Sequence, residues 1–592
     1  MLTTVSTGVK ARVPRNLIWG IAAAGLAVHL WAAWRGFFHM DDFFYLAESS
    51  MPFGDYVLQI YNNHLMPAQF AIVWVSQAIS PMSWTLAVMV VTVMWAATLV
   101  AAVILQRSLF GDSAWGIVSV IIIAFAPLLT TVTVWYASAL QILPWAATFM
   151  WMLYFAARHA RDPRWRWLIA ATLTFALGLA FWQKSLLYLP VVLWLYWRYW
   201  PGTGRLGLRG LGRRWLLPGV TLTIAVAYGL VYLAVQPESV LRSRPTAEQL
   251  WESVRITLGE VWLPGYFGAP WTGFSDALVP GSSSAWWLFV IIAQIILILV
   301  VVSVVRWRQA WNAWFIITAF AIVTVLLFVF GRINVFGIVL AIDPRYVEDL
   351  FVVGAVVVPF AFVRPAGSPL PEPRRLAWLP RDVPGWLQAL GCLGFANLLL
   401  LPTIAVGRSW HDTPAQEFVA NARQVAAGAP GIVVLDRKVP ELVMSGLFLE
   451  RANASYVLAG ADLPISWNGA GEQLYVLDDD GSVRPVSLAA SSTSVPGFDG
   501  ACGYRVFGAP TRIELDTTLF EWTWIGQLDY LAAETGVLQV ALDGASVPVL
   551  LDKGAGTVQF VVVGGGDTLV VTPPNGVGVC VASAVLGQDG PT

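Results

Sequence analysis

The feature that most constrains this chain is a series of apolar stretches, each about 17–25 residues long, across its first two thirds. A bilayer's hydrocarbon core is about 30 Å thick, so a helix needs about 20 apolar residues to cross it. Spans are read at about 16–34, 84–106, 114–132, 138–157, 167–182, 185–200, 215–235, 284–305, 312–331, 347–363 and 385–406. Charged residues make up only 12% of the 592, against about 25% in soluble domains. That leaves too little polar surface to keep so long a chain in water. The net charge of -1 offers nothing to a nucleic acid. The abundant Trp, 31 residues, suits a membrane–water boundary. Residues 16–34 are too long an apolar run for a signal peptide and read as the first span.

Orientation follows from the basic residues, which gather in cytoplasmic loops. The clusters are Lys10/Arg12/Arg15, Arg107, Arg158/Arg161/Arg164/Arg166, Arg198/Arg205/Arg209/Arg213/Arg214, Arg306/Arg308 and Arg364/Arg374/Arg375/Arg381. The spans above put all six on one side. This predicts a multi-pass protein of the inner or plasma membrane, with a cytoplasmic N-terminus. The loops at about 35–83, 133–137, 183–184, 236–283 and 332–346 then face outward, with everything after about 407. Met66 to Ser80 is apolar but short. Counting it as a span would reverse every later loop, so it is read as interfacial or re-entrant.

After residue 406 the pattern changes. Pro414 to Ala427 reads as a helix, opened by Asp412/Thr413 and stopped by Gly428 and Pro430. Gly431 to Asp436 reads as a strand. Asp480-Gly481 between two short apolar runs signals a hairpin, and the Asp478-Asp479-Asp480-Gly481 run lacks the alternating ligands of a calcium loop. Beyond about 500 come alternating runs split by Gly and Asn: Val537–Leu542, Val547–Leu551, Thr557–Val563 and Thr568–Thr572. Such spacing predicts an antiparallel, jelly-roll-like sandwich. The expected architecture is a polytopic α-helical membrane domain of about 11 helices over 1–406, an extracytoplasmic α/β piece over 407–499 and a β-sandwich over 500–592. Cys392 falls in an apolar run. Cys502 and Cys580 can pair if their segment is extracytoplasmic.

Few residues can carry chemistry. Asp41-Asp42, just past the first span, are adjacent carboxylates in a chain poor in charge. Placed at the outer boundary, they can act as general base toward a sugar hydroxyl or hold a divalent cation. Asp42 can equally cap a short helix starting at Phe43. Glu48 lies one heptad after Asp41, on the same face if that helix starts early, or is a solvated charge. Asn63-His64 can bind sugar hydroxyls, join the Asp pair as metal ligands (Asp41, Asp42, His64), or sit at the interface bonded to water. His29, within the first span, reads as packing. Lys184 and Arg345 are cations in outer loops otherwise poor in them; either they stabilise a departing lipid phosphate or they snorkel to headgroups. Trp135-Tyr136 can stack on a sugar or anchor the interface. There is no P-loop, zinc spacing or G-x-S-x-G motif.

One span followed by a large outer loop opening on Asp41-Asp42, then Asn63-His64-Leu65-Met66-Pro67, Trp135-Tyr136, Lys184 and Arg345-Tyr346, resembles the GT-C class of membrane glycosyltransferases. The Trp-, Ala- and Val-rich style and the outer sandwich look most like actinobacterial cell-wall arabinofuranosyltransferases, which carry a C-terminal carbohydrate-binding domain. The resemblance covers about residues 16–406. It implies a polyprenyl-phosphate sugar as donor and a cell-envelope polysaccharide or glycolipid as acceptor, in a pentosyl- or hexosyltransfer. Asp41 or Asp42 would be the base. Arg345 and Lys184, with Tyr346, would hold the donor phosphate, and Asn63, His64, Trp135, Tyr136 and Glu48 would line the sugar and acceptor sites. Some members of the class use a divalent cation such as Mg or Mn and many do not; the sequence leaves this open. The rival readings are a flippase for lipid-linked glycans, a non-catalytic glycan-binding assembly protein, and a lipid-linked phosphotransferase.

Overall fold

The computed structural model describes residues 14, 16–200, 208–235, 245–269, 286–333, 337–374, 383–410, 414–573 and 577–590. Lys10, Arg12, Arg15, Arg205, Arg375, Arg381, Asp412 and Thr413, and the side chains of Arg209 and Arg213, lie outside the described residues. The chain divides into two units, Met1–Asp412 and Thr413–Thr592.

The first unit is helical. Its elements are α1 (Leu17–Trp34), α2 (Asp41–Glu48), α3 (Phe53–Leu58), a hairpin of β1 (Ile60–Tyr61) and β2 (His64–Leu65), α4 (Pro67–Ile79), α5 (Trp84–Phe110), α6 (Ala114–Phe125), α7 (Pro127–Thr133), α8 (Tyr136–Arg161), α9 (Trp165–Phe181), α10 (Ser185–Tyr199), α11 (Leu208–Val235) and α12 (Ala247–Val254). Then come α13 (Trp286–Arg306), α14 (Ala310–Phe328), α15 (Glu348–Val357), α16 (Pro359–Phe362) and α17 (Gly385–Ser409). Among the described residues, eight helices are long and apolar enough to cross a membrane. The chain is a polytopic membrane protein. The helices α9, α10 and α15–α16 fill the remaining expected spans but fall short of that length. At 13 residues, α4 reaches about 20 Å, which is too short to cross.

Helices sort by burial. The stretch Ala114–Thr133 is almost wholly enclosed by protein, while Arg214–Val235 and Phe289–Arg306 leave most residues uncovered. Exposed side chains on the latter, such as Leu230, Leu233 and Leu297, are apolar. Lipid is the solvent that such faces suit. Two close approaches tie the first helix to the last. A Cβ at Gly36 would lie 1.8 Å from Trp410 Nε1, and one at Gly407 would lie 2.5 Å from the Trp31 ring. Only glycine permits either contact.

In the second unit, α18 (Pro414–Gly428) precedes a four-stranded sheet of order β4-β3-β6-β7, formed by β3 (Val433–Val434), β4 (Ser466–Trp467), β6 (Tyr475–Leu477) and β7 (Val483–Pro485). The hairpin at Asp480-Gly481 joins β6 and β7, with Gly481 at φ +80°. The other sheet is antiparallel and eight-stranded, of order β12-β11-β13-β10-β14-β8, with β5 on β13 and β9 on β14. Its strands are β5 (Ala470–Gly471), β8 (Leu488–Thr493), β9 (Tyr504–Val506), β10 (Thr511–Ala532), β11 (Gly536–Leu542), β12 (Val547–Leu551), β13 (Gly554–Thr572) and β14 (Val579–Asp589). Strands from before residue 500 therefore belong to the same sheet as those after it. Leu435, Leu474 and Val486 share a buried cluster with Ile525 and Val561.

One expectation fails instructively. Thr557–Val563 and Thr568–Thr572 are not two strands but one, β13, running through Gly564-Gly565-Gly566. Those glycines read as a break because they are common in turns. Here they let a continuous strand bend where neighbours crowd it: a Cβ at Gly564 would lie 1.7 Å from the Leu542 carbonyl, and one at Gly565 would lie 2.8 Å from the Glu521 nitrogen. The partner strand β10 shifts register between Glu514 and Trp522, opposite these glycines. Both halves of the bent sheet close on one core that includes Ile513, Leu528, Val540, Phe560 and Val571.

A disulfide joins Cys502 to Cys580, with Cα atoms 5.1 Å apart and a sequence separation of 78. A loop of that size limits the unfolded chain strongly, so Cys580→Ser is expected to cost about 2–4 kcal/mol of this unit's stability. Calorimetry of the full chain would check it. An unchanged unfolding transition of the strand-rich unit would refute it.

Candidate active site

Asp41, Asp42, Asn63, His64, Trp135, Tyr136, Lys184 and Arg345 lie in connecting segments or first turns of the helical unit. The first loop sets the geometry. Past α1 the chain turns at Gly36, and Met40 adopts φ +45° just before α2. A non-glycine residue held there stores roughly 1–3 kcal/mol of strain, a conformation that functional sites often keep.

The two aspartates have different surroundings. Asp42 is fully buried. Its Oδ2 accepts from the His39 backbone N–H at 2.8 Å and its Oδ1 accepts from the Ala137 N–H at 2.7 Å. Ala137 is the second residue of α8, so the carboxylate closes the open N-terminus of the central helix and meets its positive dipole end. Burial pushes the Asp42 carboxyl well up, and the amides of His39 and Ala137 oppose that. Both oxygens are engaged in holding the loop to α8. The expectation that Asp42 caps a helix starting at Phe43 is not met: Asp42 lies inside α2, whose N-cap is Met40, and its side chain closes α8 instead.

Asp41 is only part-buried. Its Oδ1 accepts from the Tyr61 hydroxyl at 3.0 Å, and its Oδ2 lies 3.8 Å from Arg345 Nη1. The second is an ion-pair distance rather than a hydrogen bond, so Oδ2 feels the cation without being tied to it. Burial raises the Asp41 carboxyl; Arg345 and the Tyr61 hydroxyl hold it down, and Asp343 pushes it up again.

Arg345 is fixed from below and behind. Asp343, 1% exposed, accepts from the Arg345 backbone N–H at 2.9 Å. Its Oδ2 accepts from Nε at 2.8 Å and lies 2.6 Å from Nη2. The guanidinium lies 3.9 Å above the Trp135 ring. Trp135 is thus the floor under the cation. Tyr136, its neighbour, is 2% exposed and packs edge-on against Phe38. Tyr346 packs on Phe328 and lies within electrostatic reach of Asp41 and Arg345.

The β1–β2 hairpin turns on Asn62-Asn63, at φ +49° and +65°. Two adjacent left-handed residues are the mark of a type I′ turn, which Asn tolerates. The turn's carbonyls are gripped from three sides. Arg332 donates to Asn62 O at 2.9 Å, while Gln183 and Tyr232 donate to Asn63 O at 2.9 and 2.8 Å. His64 lies between the Gln183 amide and Arg332. Burial, with Arg332 nearby, pushes its imidazole down to about 3, so it is neutral. His39, between the rings of Trp135 and Trp410, is likewise pushed down to about 4 by burial and by Arg345. Asp42 and His64 are each committed to protein partners. Among the described residues no three His, Cys, Asp or Glu side chains are placed to hold a metal ion, and the set Asp41, Asp42 and His64 is not brought together as one. Glu48, at the far end of α2, acts electrostatically on Tyr61, as Asp41 does.

Lys184 stands 3.3 Å from the buried Asp349 and over the Trp182 ring at 4.4 Å. Asp349 begins α15 beside Glu348, which is 1% exposed and whose Oε2 meets no hydrogen-bond donor among the described residues. Glu348 lies within electrostatic reach of Lys184, Asp343 and Arg345. The charged groups thus form one field, with Asp41, Asp343, Glu348 and Asp349 set among Arg345, Lys184 and Arg332. Sequence reasoning missed Asp343, Glu348, Asp349, Tyr61, Gln183 and Arg332. Glu348-Asp349 inside a predicted span was the available signal, because carboxylates at that depth are rare unless they are used.

No protein family and no curated protein matches the chain by sequence. Comparison with solved structures finds distant resemblances. One is ArnT from Cupriavidus metallidurans, in the apo state (14% identity, TM-score 0.43, 78% of this chain and 93% of that one) and bound to undecaprenyl phosphate (14%, 0.40, the same coverage). Another is the arabinofuranosyltransferase AftD from mycobacteria (10%, 0.38, 98% of this chain and 59% of that one). A third is the arabinosyltransferase EmbB from Mycobacterium smegmatis (14%, 0.26, 97% and 64%). At such scores the roles of the residues rest on their own geometry.

Proposed function

We propose that the chain transfers a sugar from a polyprenyl-phosphate donor to a hydroxyl of a cell-envelope glycan, with Asp41 as general base. The observation that supports this best is Asp41 itself, a part-buried carboxylate with one oxygen held by Tyr61 and the other facing Arg345. In the transfer, the acceptor oxygen bonds to the anomeric carbon as the bond from that carbon to the phosphate oxygen breaks. The acceptor proton passes to Asp41 Oδ2, and the bonding pair leaves with the lipid phosphate. Arg345, kept charged by Asp343, meets that developing negative charge in a low-dielectric site, where preorganised charge is most effective. Lys184 supplies a second cation once a phosphate competes with Asp349 for it. The imidazole of His64 and the floor of Trp135 border the sugar.

The orientation proposed from the basic loops puts this site outside the cytoplasm, with the C-terminal unit. On that unit, Phe520 and Trp522 are exposed rings 5.9 Å apart, a surface on which sugar rings can stack. A tethered glycan-binding unit would raise the acceptor's effective concentration at the site.

The test is to incubate purified protein with a panel of polyprenyl-phosphate pentoses and hexoses and with envelope glycan acceptors. Glycosylated product from one of them is expected. Donor turnover that yields a phosphorylated acceptor instead would replace this reading with phosphoryl transfer. The pH profile carries its own prediction. The base works only when ionised, and burial raises Asp41, so kcat/KM should fall as pH drops, starting above the ordinary carboxylate range. An acid limb centred at or below about pH 4 would argue for a different base.

A further inference from the structure

At the opposite helix ends, two arginines gather at Trp200, and neither makes an ion pair among the described residues. Arg161 is the last residue of α8, and Arg214 lies on α11 with 7% of its surface exposed. Arg214 donates to the carbonyls of Trp200 and Ala160, at 2.9 and 2.6 Å. The Arg161 guanidinium lies 5.5 Å from the centre of the Trp200 ring. Three of their donors are buried and meet no acceptor among the described residues: Nε and Nη2 of Arg161, and Nε of Arg214. The acid nearest in sequence, Asp162, is paired with Arg164 at 2.5 Å. Another cation, Arg158, lies within electrostatic reach of Arg161. Residues 201–207, between Trp200 and α11, contain no Asp or Glu. The chain passes tightly here, since a Cβ at Gly367 would lie 2.9 Å from Arg161 Nε.

Cationic donors buried without an acceptor are costly unless an anion completes them. The macrodipole at the end of α8 offsets only part of that. Guanidinium forks match phosphate oxygens, and basic niches between helices at a membrane surface suit phosphate headgroups. We propose that Arg161 and Arg214, over the Trp200 ring, hold a phosphate-bearing anion at the basic face of the membrane unit, separate from the Asp41 site. Its source is the headgroup of an anionic phospholipid or inorganic phosphate.

The full chain would be purified, delipidated and assayed for thermal stability and by native mass spectrometry with three additions: phosphatidylglycerol, diacylglycerol and inorganic phosphate. The expected result is retention of phosphatidylglycerol but not diacylglycerol, reduced about tenfold or more in Arg161→Gln, in line with the loss of charge-assisted bonds. Arg164→Gln, which removes an exposed charge already paired with Asp162, should retain lipid like the wild type. Stabilisation by inorganic phosphate alone, lost in the same variant, would assign the site to free phosphate. If neither phosphate source stabilises the wild-type protein over diacylglycerol, the site holds only water and the proposal fails. Equal loss in Arg164→Gln would likewise overturn it, by showing a general charge effect. Should Arg161→Gln fail to fold, the wild-type arms still decide the matter.

Discussion

Asp41→Asn should lower sugar transfer by about 10²–10⁴-fold, the usual contribution of a positioned general base, while leaving the fold intact. The amide keeps an oxygen for the Tyr61 hydroxyl and removes only the capacity to take a proton. Because Asp41 meets Arg345 at 3.8 Å rather than in a tight pair, little stability should go with the charge. The effect belongs in kcat more than in KM. A variant that still transfers within a factor of ten of wild type would remove Asp41 from the chemistry.

Asp42→Ala should do the opposite. It leaves the buried N–H groups of His39 and Ala137 without the acceptor they now share. Each such loss costs about 1–3 kcal/mol, so a total of about 2–6 kcal/mol is expected, large against the stability of most proteins. Thermal or denaturant unfolding in detergent would read it. Activity should fall in step with the folded fraction. An Asp42→Ala protein as stable as wild type but inactive would reverse the roles assigned to the two aspartates.

That division of labour was not legible in the sequence. Asp41 and Asp42 are adjacent, and what separates them is the N-terminus of α8, 95 residues downstream. The spans were legible because length and apolarity are local properties, which is why α1, α5 and α8 fall where periodicity and composition put them. Lys184 and Arg345 were visible as cations on the cation-poor side. Their acids were not: Asp349 meets Lys184 across 165 residues of chain, and Asp343 read only as a loop residue before Pro344. The burial of Tyr136 was not legible either, because an aromatic pair in a short loop resembles an interfacial anchor or a stacking surface. The glycines at 564–566 misled for a related reason. Glycine marks a turn and a crowded strand equally well, and only the neighbours decide which.

The tie between the two ends of the helical unit has a consequence for how the protein is made. His39, in the loop that carries Asp41, rests against Trp410, and Gly36 and Gly407 let the first and last helices meet. Thr403 on α17 also donates to the Phe125 carbonyl at the end of α6. A ribosome inserts α1 first and α17 more than 350 residues later. Until then the loop that carries Asp41 lacks one of its walls. Under the proposed function, a nascent chain arrested before α17 should therefore hold the aspartates, the arginine and the lysine and still be idle, so that competence arrives late in synthesis.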